Sequence, residues 1–123
     1  MSAFDHWDEI APIRIWEGVV GRAVTGREAT LAAIELEPGT KVPEHHHVNE
    51  QTGMLIRGAL TFRIGDETQE LRPGSTWVIP ADVPHSVEAG PDGAYLIELF
   101  APPRGDWAGL ERLAPSPPTR GLM

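Results

Sequence analysis

The chain contains no cysteine. That excludes disulfide cross-links, a thiolate nucleophile and sulfur-ligated zinc, and leaves nitrogen and oxygen as the atoms able to hold a metal. Positive charge is scarce: ten Lys and Arg stand against eighteen Asp and Glu, for a formal charge of −8. Such a chain is not expected to bind DNA or RNA by neutralising phosphates. With Lys41 as its single lysine it also lacks a polybasic patch for a membrane surface. Long apolar runs are missing too. No stretch approaches the roughly 18 residues of a membrane span. The opening MSAFDHWDEI is acidic and has no apolar core. A soluble, cytoplasmic protein with small-molecule partners is expected.

What is present reads as β-structure. At 123 residues the chain suits one domain with one hydrophobic core. Its thirteen glycines and twelve prolines are spread along the chain, as in many short strands joined by turns. In ALTFRIG, Leu60, Phe62 and Ile64 alternate with Thr61 and Arg63, the pattern of a half-buried antiparallel strand. Similar runs occur in RIWEGVVG, TLAAIELEPG, KVPEHHH, GMLIRG, TQELRPG, STWVIP, HSVEAG and AYLIELF. They are separated by turn signals that include Gly-Pro-Asp-Gly at residues 90–93. The expected fold is an all-β sandwich or small barrel over residues 1–113. One short helix is expected over 106–113, followed by a flexible proline-rich tail from 114 to 123. Phe4 and Trp7 suit an N-terminal segment that covers a sheet edge, packs on a second subunit or joins the core.

The chemistry concentrates in EHHHVNEQTG, which holds three of the five histidines. On an extended strand His45 and His47 share one face and His46 points to the other. By itself such a run in a surface strand is more often a polar edge than a ligand set. Its setting narrows the choice. The blocks GTKVPEHHHVNEQTGMLIRG and GSTWVIPADVPH resemble the two motifs of the cupin family. The first motif is glycine, five residues, His-x-His, three or four residues, glutamate, six residues and glycine. The second is glycine, five residues, proline, one residue, glycine, two residues and histidine, then asparagine four further on.

The resemblance implies a single jelly-roll barrel of two antiparallel sheets. It also implies a mononuclear divalent transition-metal site, for which zinc, iron, manganese, nickel, cobalt and copper all qualify. Carried over by position, His45, His47, Gln51 and His85 are the ligands, and Gly39, Gly58 and Gly74 the turn glycines. Three departures stand out: Gln51 for the usual glutamate, Asp82 for a glycine and Ala89 for an asparagine. With Gln51 the ligand set is neutral, which implies a stronger Lewis acid that favours anionic ligands. Gln51 can alternatively stand beside the histidines without binding.

The strand AYLIELF leaves two registers open. Either Leu96, Glu98 and Phe100 face the core, or Tyr95, Ile97 and Leu99 do and Glu98 is solvated. IELFAPPRGDW, together with the glutamine, resembles a subset of single-domain cupins that act on unsaturated uronates in pectin and alginate breakdown. That resemblance favours the inward register. It implies Glu98 as general acid or base, Phe100 and Arg104 as substrate-binding residues, and Arg104 gripping a small anionic substrate by its carboxylate. An isomerase or lyase with a homodimeric barrel is the leading expectation. The alternatives are a metal-dependent dioxygenase, and a polyketide-pathway cupin or non-enzymatic small-ligand binding protein. Trp16 and Trp77 are expected in the core or pocket wall.

Overall fold

A computed structural model describes residues 2–119. Eight antiparallel strands follow one another: β1 (Ile13–Trp16), β2 (Val19–Thr25), β3 (Thr30–Leu36), β4 (Lys41–His45), β5 (Glu50–Ile64), β6 (Glu67–Leu71), β7 (Thr76–Ile79) and β8 (His85–Ala101). Short 3-10 turns stand at Trp7–Glu9 and Gly105–Gly109. The all-β jelly roll expected from the motifs is the fold observed.

β5 and β8 organise the barrel because each serves two sheets. The first half of β5 pairs with β7 and with the last residues of β8, while its second half pairs with β6 and the start of β8. One sheet therefore runs β1-β2-β3-β8-β5-β7, and the other holds β4, β8, β5 and β6. Two pairs of strands expected from the sequence are thus fused. GMLIRG and ALTFRIG form one bent strand, as do HSVEAG and AYLIELF. The Gly-Pro-Asp-Gly signal at 90–93 is a bulge, since Ala89 and Ala94 pair with Leu60 and Gly58 across the bend. Gly58 has φ 83°, and a Cβ there would lie 2.0 Å from the Gly93 carbonyl oxygen, so only glycine fits this corner.

Inward residues of both sheets form one core that includes Ala32, Ile34, Leu36, Leu55, Leu60, Ile79 and Leu96. The helix expected over 106–113 is a single 3-10 turn, Gly105–Gly109. Past it the chain is extended, and Arg112 bridges to Ile13. Of the proline-rich end, residues 116–119 lie on the outer face of β2 and β3. There Arg22 donates to the Ser116 and Pro117 carbonyls and to Ser116 Oγ, and Glu35 accepts from Thr119 N–H and O–H. Beneath them Arg22 and Glu35 form a buried ion pair at 2.7 Å. Phe4 is 89% exposed, and Trp7 is half-buried. Among the described residues no helix is long and apolar enough to cross a membrane.

Candidate metal centre

His45 and His85 meet because they are direct partners across the β4–β8 pair. His47 follows two residues after His45 and turns to the same side. The three offer one nitrogen each, all within 4.8 Å of one another, an arrangement able to hold a metal ion. Each Nδ1 faces a backbone carbonyl: His45 at Pro43 (2.8 Å), His47 at Asn49 (3.0 Å) and His85 at Val83 (2.9 Å). A carbonyl only accepts, so Nδ1 carries the proton and Nε2 presents its lone pair. His85 Nε2 is buried with no hydrogen-bond partner. His46 is exposed and sits 3.6 Å from Asp82, away from the cluster. Asp82 takes φ 62° where the motif has glycine.

Burial holds all three cluster imidazoles below their ordinary 6.5, His85 to about 4, and the Arg104 charge adds to the effect. They are neutral at pH 7. This sharpens the position of Gln51, whose Oε1 lies 3.0 Å from His47 Nε2. A neutral His47 has one proton for two acceptors, Asn49 O and Gln51 Oε1, so one of these close contacts has no hydrogen in it. A cation shared by Nε2 and Oε1 would remove the conflict. The donor set therefore fits a divalent transition metal, with Gln51 turned toward it.

Glu98 faces inward, the first of the two registers open in the sequence. Its strand neighbours on that face, Gly53 and Ala32, are small enough to admit it. Its Oε2 accepts from Gln51 Nε2 and from Trp77 Nε1 (2.9 Å), and burial lifts the carboxyl to about 7. Oε1 takes no hydrogen bond among the described residues. A carboxyl in this state can hold or release a proton near neutrality.

Glu98, Gln51, the three histidines, Phe100 and Arg104 line one cavity of about 90 Å³, together with Trp16, Trp107 and apolar side chains of both sheets. The Arg104 guanidinium lies over the rings of Phe100 and Trp107, 4.8 and 4.6 Å from their centroids. It donates through Nε and Nη2 to both Asp106 oxygens at 3.0 and 2.9 Å. One of its two-pronged edges, expected from the sequence to meet a substrate, is thus used by Asp106. Nη1 has no hydrogen bond among the described residues. Arg104 holds the Asp106 carboxyl below its ordinary range.

Residues 32–99 match the cupin domain family. The chain is a cupin. This cupin is 28% identical over 98 residues to oxalate decarboxylase OxdC of Bacillus subtilis, a match covering 71% of the chain and 26% of the decarboxylase. The chain thus spans about a quarter of the length of that curated relative. It superposes on an RmlC-like cupin from Shewanella frigidimarina with TM-score 0.79 at 21% identity, covering 86% of this chain and 96% of that one. On KdgF from Halomonas sp. the TM-score is 0.78 at 22% identity, covering 86% and 98%. At these identities the likeness establishes the barrel.

Three contributors to the cupin's cavity went unread in the sequence. Asn49 holds His47 through its carbonyl and, through its side chain, donates to the Pro102 and Pro103 carbonyls at 2.5 and 3.3 Å, which ties the Arg104 loop to the histidines. Asp106 pairs with Arg104 and Trp107 stacks on it. A charge pair two residues apart beside a tryptophan, in RGDW, was the available signal.

Proposed function

We propose that this cupin is a metal-dependent enzyme that opens or isomerises a small unsaturated sugar acid, a uronate. The observation that carries the reading is Glu98: a buried carboxyl, lifted to about 7 by burial, lining the same cavity as three neutral histidines and a guanidinium. A divalent metal held by His45, His47, His85 and Gln51 would supply a Lewis acid whose charge the neutral ligands leave undiminished. Glu98 takes a proton from a hydroxyl or enol oxygen of the substrate and returns one to carbon, so the ring opens and the enol becomes a ketone without any redox change. Arg104 holds the substrate carboxylate through its Nη1 side while Asp106 fixes the other edge and the Phe100 and Trp107 rings support the guanidinium.

The test is turnover of unsaturated uronates. Arg104→Ala is expected to lose it with metal content unchanged; activity equal to wild type on every uronate turned over would sink the assignment. One observation favours a second reading. Much of the cavity lining is apolar, including Ile34, Leu36, Val42, Phe62, Val87 and Leu96, which suits a less hydroxylated substrate and dioxygen. Oxygen uptake by the metal-loaded protein would identify a dioxygenase, since ring opening consumes none.

A further inference from the structure

Trp77 lies outside the motif positions and behind the cavity lining, yet its indole N–H donates to Glu98, which lines the cavity. It stands on β7 opposite Gly53, which in turn pairs with Glu98 on β8, so the three share one row of the inner sheet face. The indole is 6% exposed and tilts against Phe62, 5.1 Å between centroids. It lies directly over Gly53. A Cβ there would be 2.5 Å from Cε2, Cζ2 and Nε1, so the missing side chain is what lets Nε1 come within reach of Glu98.

An indole N–H can only donate, and a carboxylate can only accept. Glu98 Oε2 receives both the Trp77 N–H and one Gln51 amide N–H. This settles which way the Gln51 amide points. Flipped, it would set its oxygen against the ionised carboxylate, and its NH2, donating to the His47 Nε2 lone pair, would leave no amide oxygen facing the cluster. Glu98 therefore orients Gln51, and Trp77 orients Glu98. We infer that Trp77 is a positioning residue: through Glu98 it keeps the Gln51 carbonyl aimed at the histidine cluster and leaves Glu98 Oε1 for the cavity. The inference rests on the reading that the cluster binds a metal.

The experiment is a double-mutant cycle on metal affinity, with Co²⁺ titrated against a chromophoric competitor. Removing a residue that orients a ligand typically costs about 10- to 100-fold in metal affinity, so Trp77→Phe should weaken Co²⁺ binding by about tenfold when Gln51 is present. In a Gln51→Ala background the same change should cost less than about twofold, because no amide is left to orient. The cobalt absorption bands should shift in Trp77→Phe but not between the two Gln51→Ala proteins. Gly53→Ala, which displaces the indole and keeps it, should act in the same direction and serves if Trp77→Phe does not fold. An equal loss with and without Gln51 would overturn the inference in favour of plain packing, as would unchanged affinity in both Trp77→Phe and Gly53→Ala. A wild-type protein that takes up no Co²⁺ fails the metal reading itself, a different outcome from wild-type binding that ignores Trp77.

Discussion

Replacing Glu98 by glutamine isolates the cost of burying its carboxyl. The amide oxygen can accept the same two hydrogen bonds from Gln51 and Trp77, so the packing is preserved while the charge is removed. In the wild type the folded carboxyl sits at about 7 against an ordinary 4.5. Below pH 4.5 it is protonated in both folded and unfolded chains and costs nothing. As pH rises toward and through 7, the unfolded chain has already released the proton that the folded one retains, so stability is lost. At about 1.4 kcal/mol per pH unit the loss reaches about 3 kcal/mol by pH 8. The three cluster histidines impose the opposite slope near pH 4 to 6.5, but both proteins share them and they cancel in the difference. Chemical unfolding of the metal-free proteins should therefore show the advantage of Glu98→Gln growing by about 3 kcal/mol between pH 4.5 and 8. In melting temperature that is a gap of about 10 °C. A difference that does not change with pH would refute the reasoning, because it would mean that Glu98 ionises as an exposed glutamate does.

Metal binding gives the converse pH prediction. With burial holding His85 to about 4, and His45 and His47 also below 6.5, Co²⁺ affinity measured in the Glu98→Gln protein should fall less from pH 7.5 to 6 than three ordinary imidazoles would allow. Three ordinary imidazoles would lose roughly fifty-fold over that range, and observing such a fall would sink the assignment. Gly58→Ala should destabilise the barrel by more than about 3 kcal/mol in urea, since it adds left-handed strain to a Cβ 2.0 Å from the Gly93 oxygen. A wild-type midpoint would show that the corner does not need glycine. Truncation after Pro115 removes three hydrogen bonds from Arg22 and two from Glu35, and should lower stability by about 2–4 kcal/mol. An unchanged melting temperature would show that residues 116–119 do not support the ion pair.

Much of this protein was determined by local sequence pattern. Alternation in ALTFRIG and its neighbours specifies strands, because side-chain direction in a strand follows a period of two. The same rule separated His46 from His45 and His47, and the motif spacing brought His85 to them. Turn chemistry was less reliable: Gly-Pro-Asp-Gly at 90–93 reads as a turn between two strands, but strand pairing on both sides of it turned the segment into a bulge within β8. Likewise, DWAGLERL has helical composition, yet the extended chain after Gly109 packs back on β1, and that tertiary contact outweighs weak helix propensity over so few residues. The direction of Glu98 could not be read from hydrophobicity, since Tyr95, Ile97 and Leu99 rival Leu96 and Phe100. It was decided by the space beside Gly53 and Ala32 and by the donors Trp77 and Gln51, which come from other strands. Ligand types and their register are properties of the chain; the hydrogen-bond partners that orient them depend on which strands lie side by side, and only the folded barrel sets that.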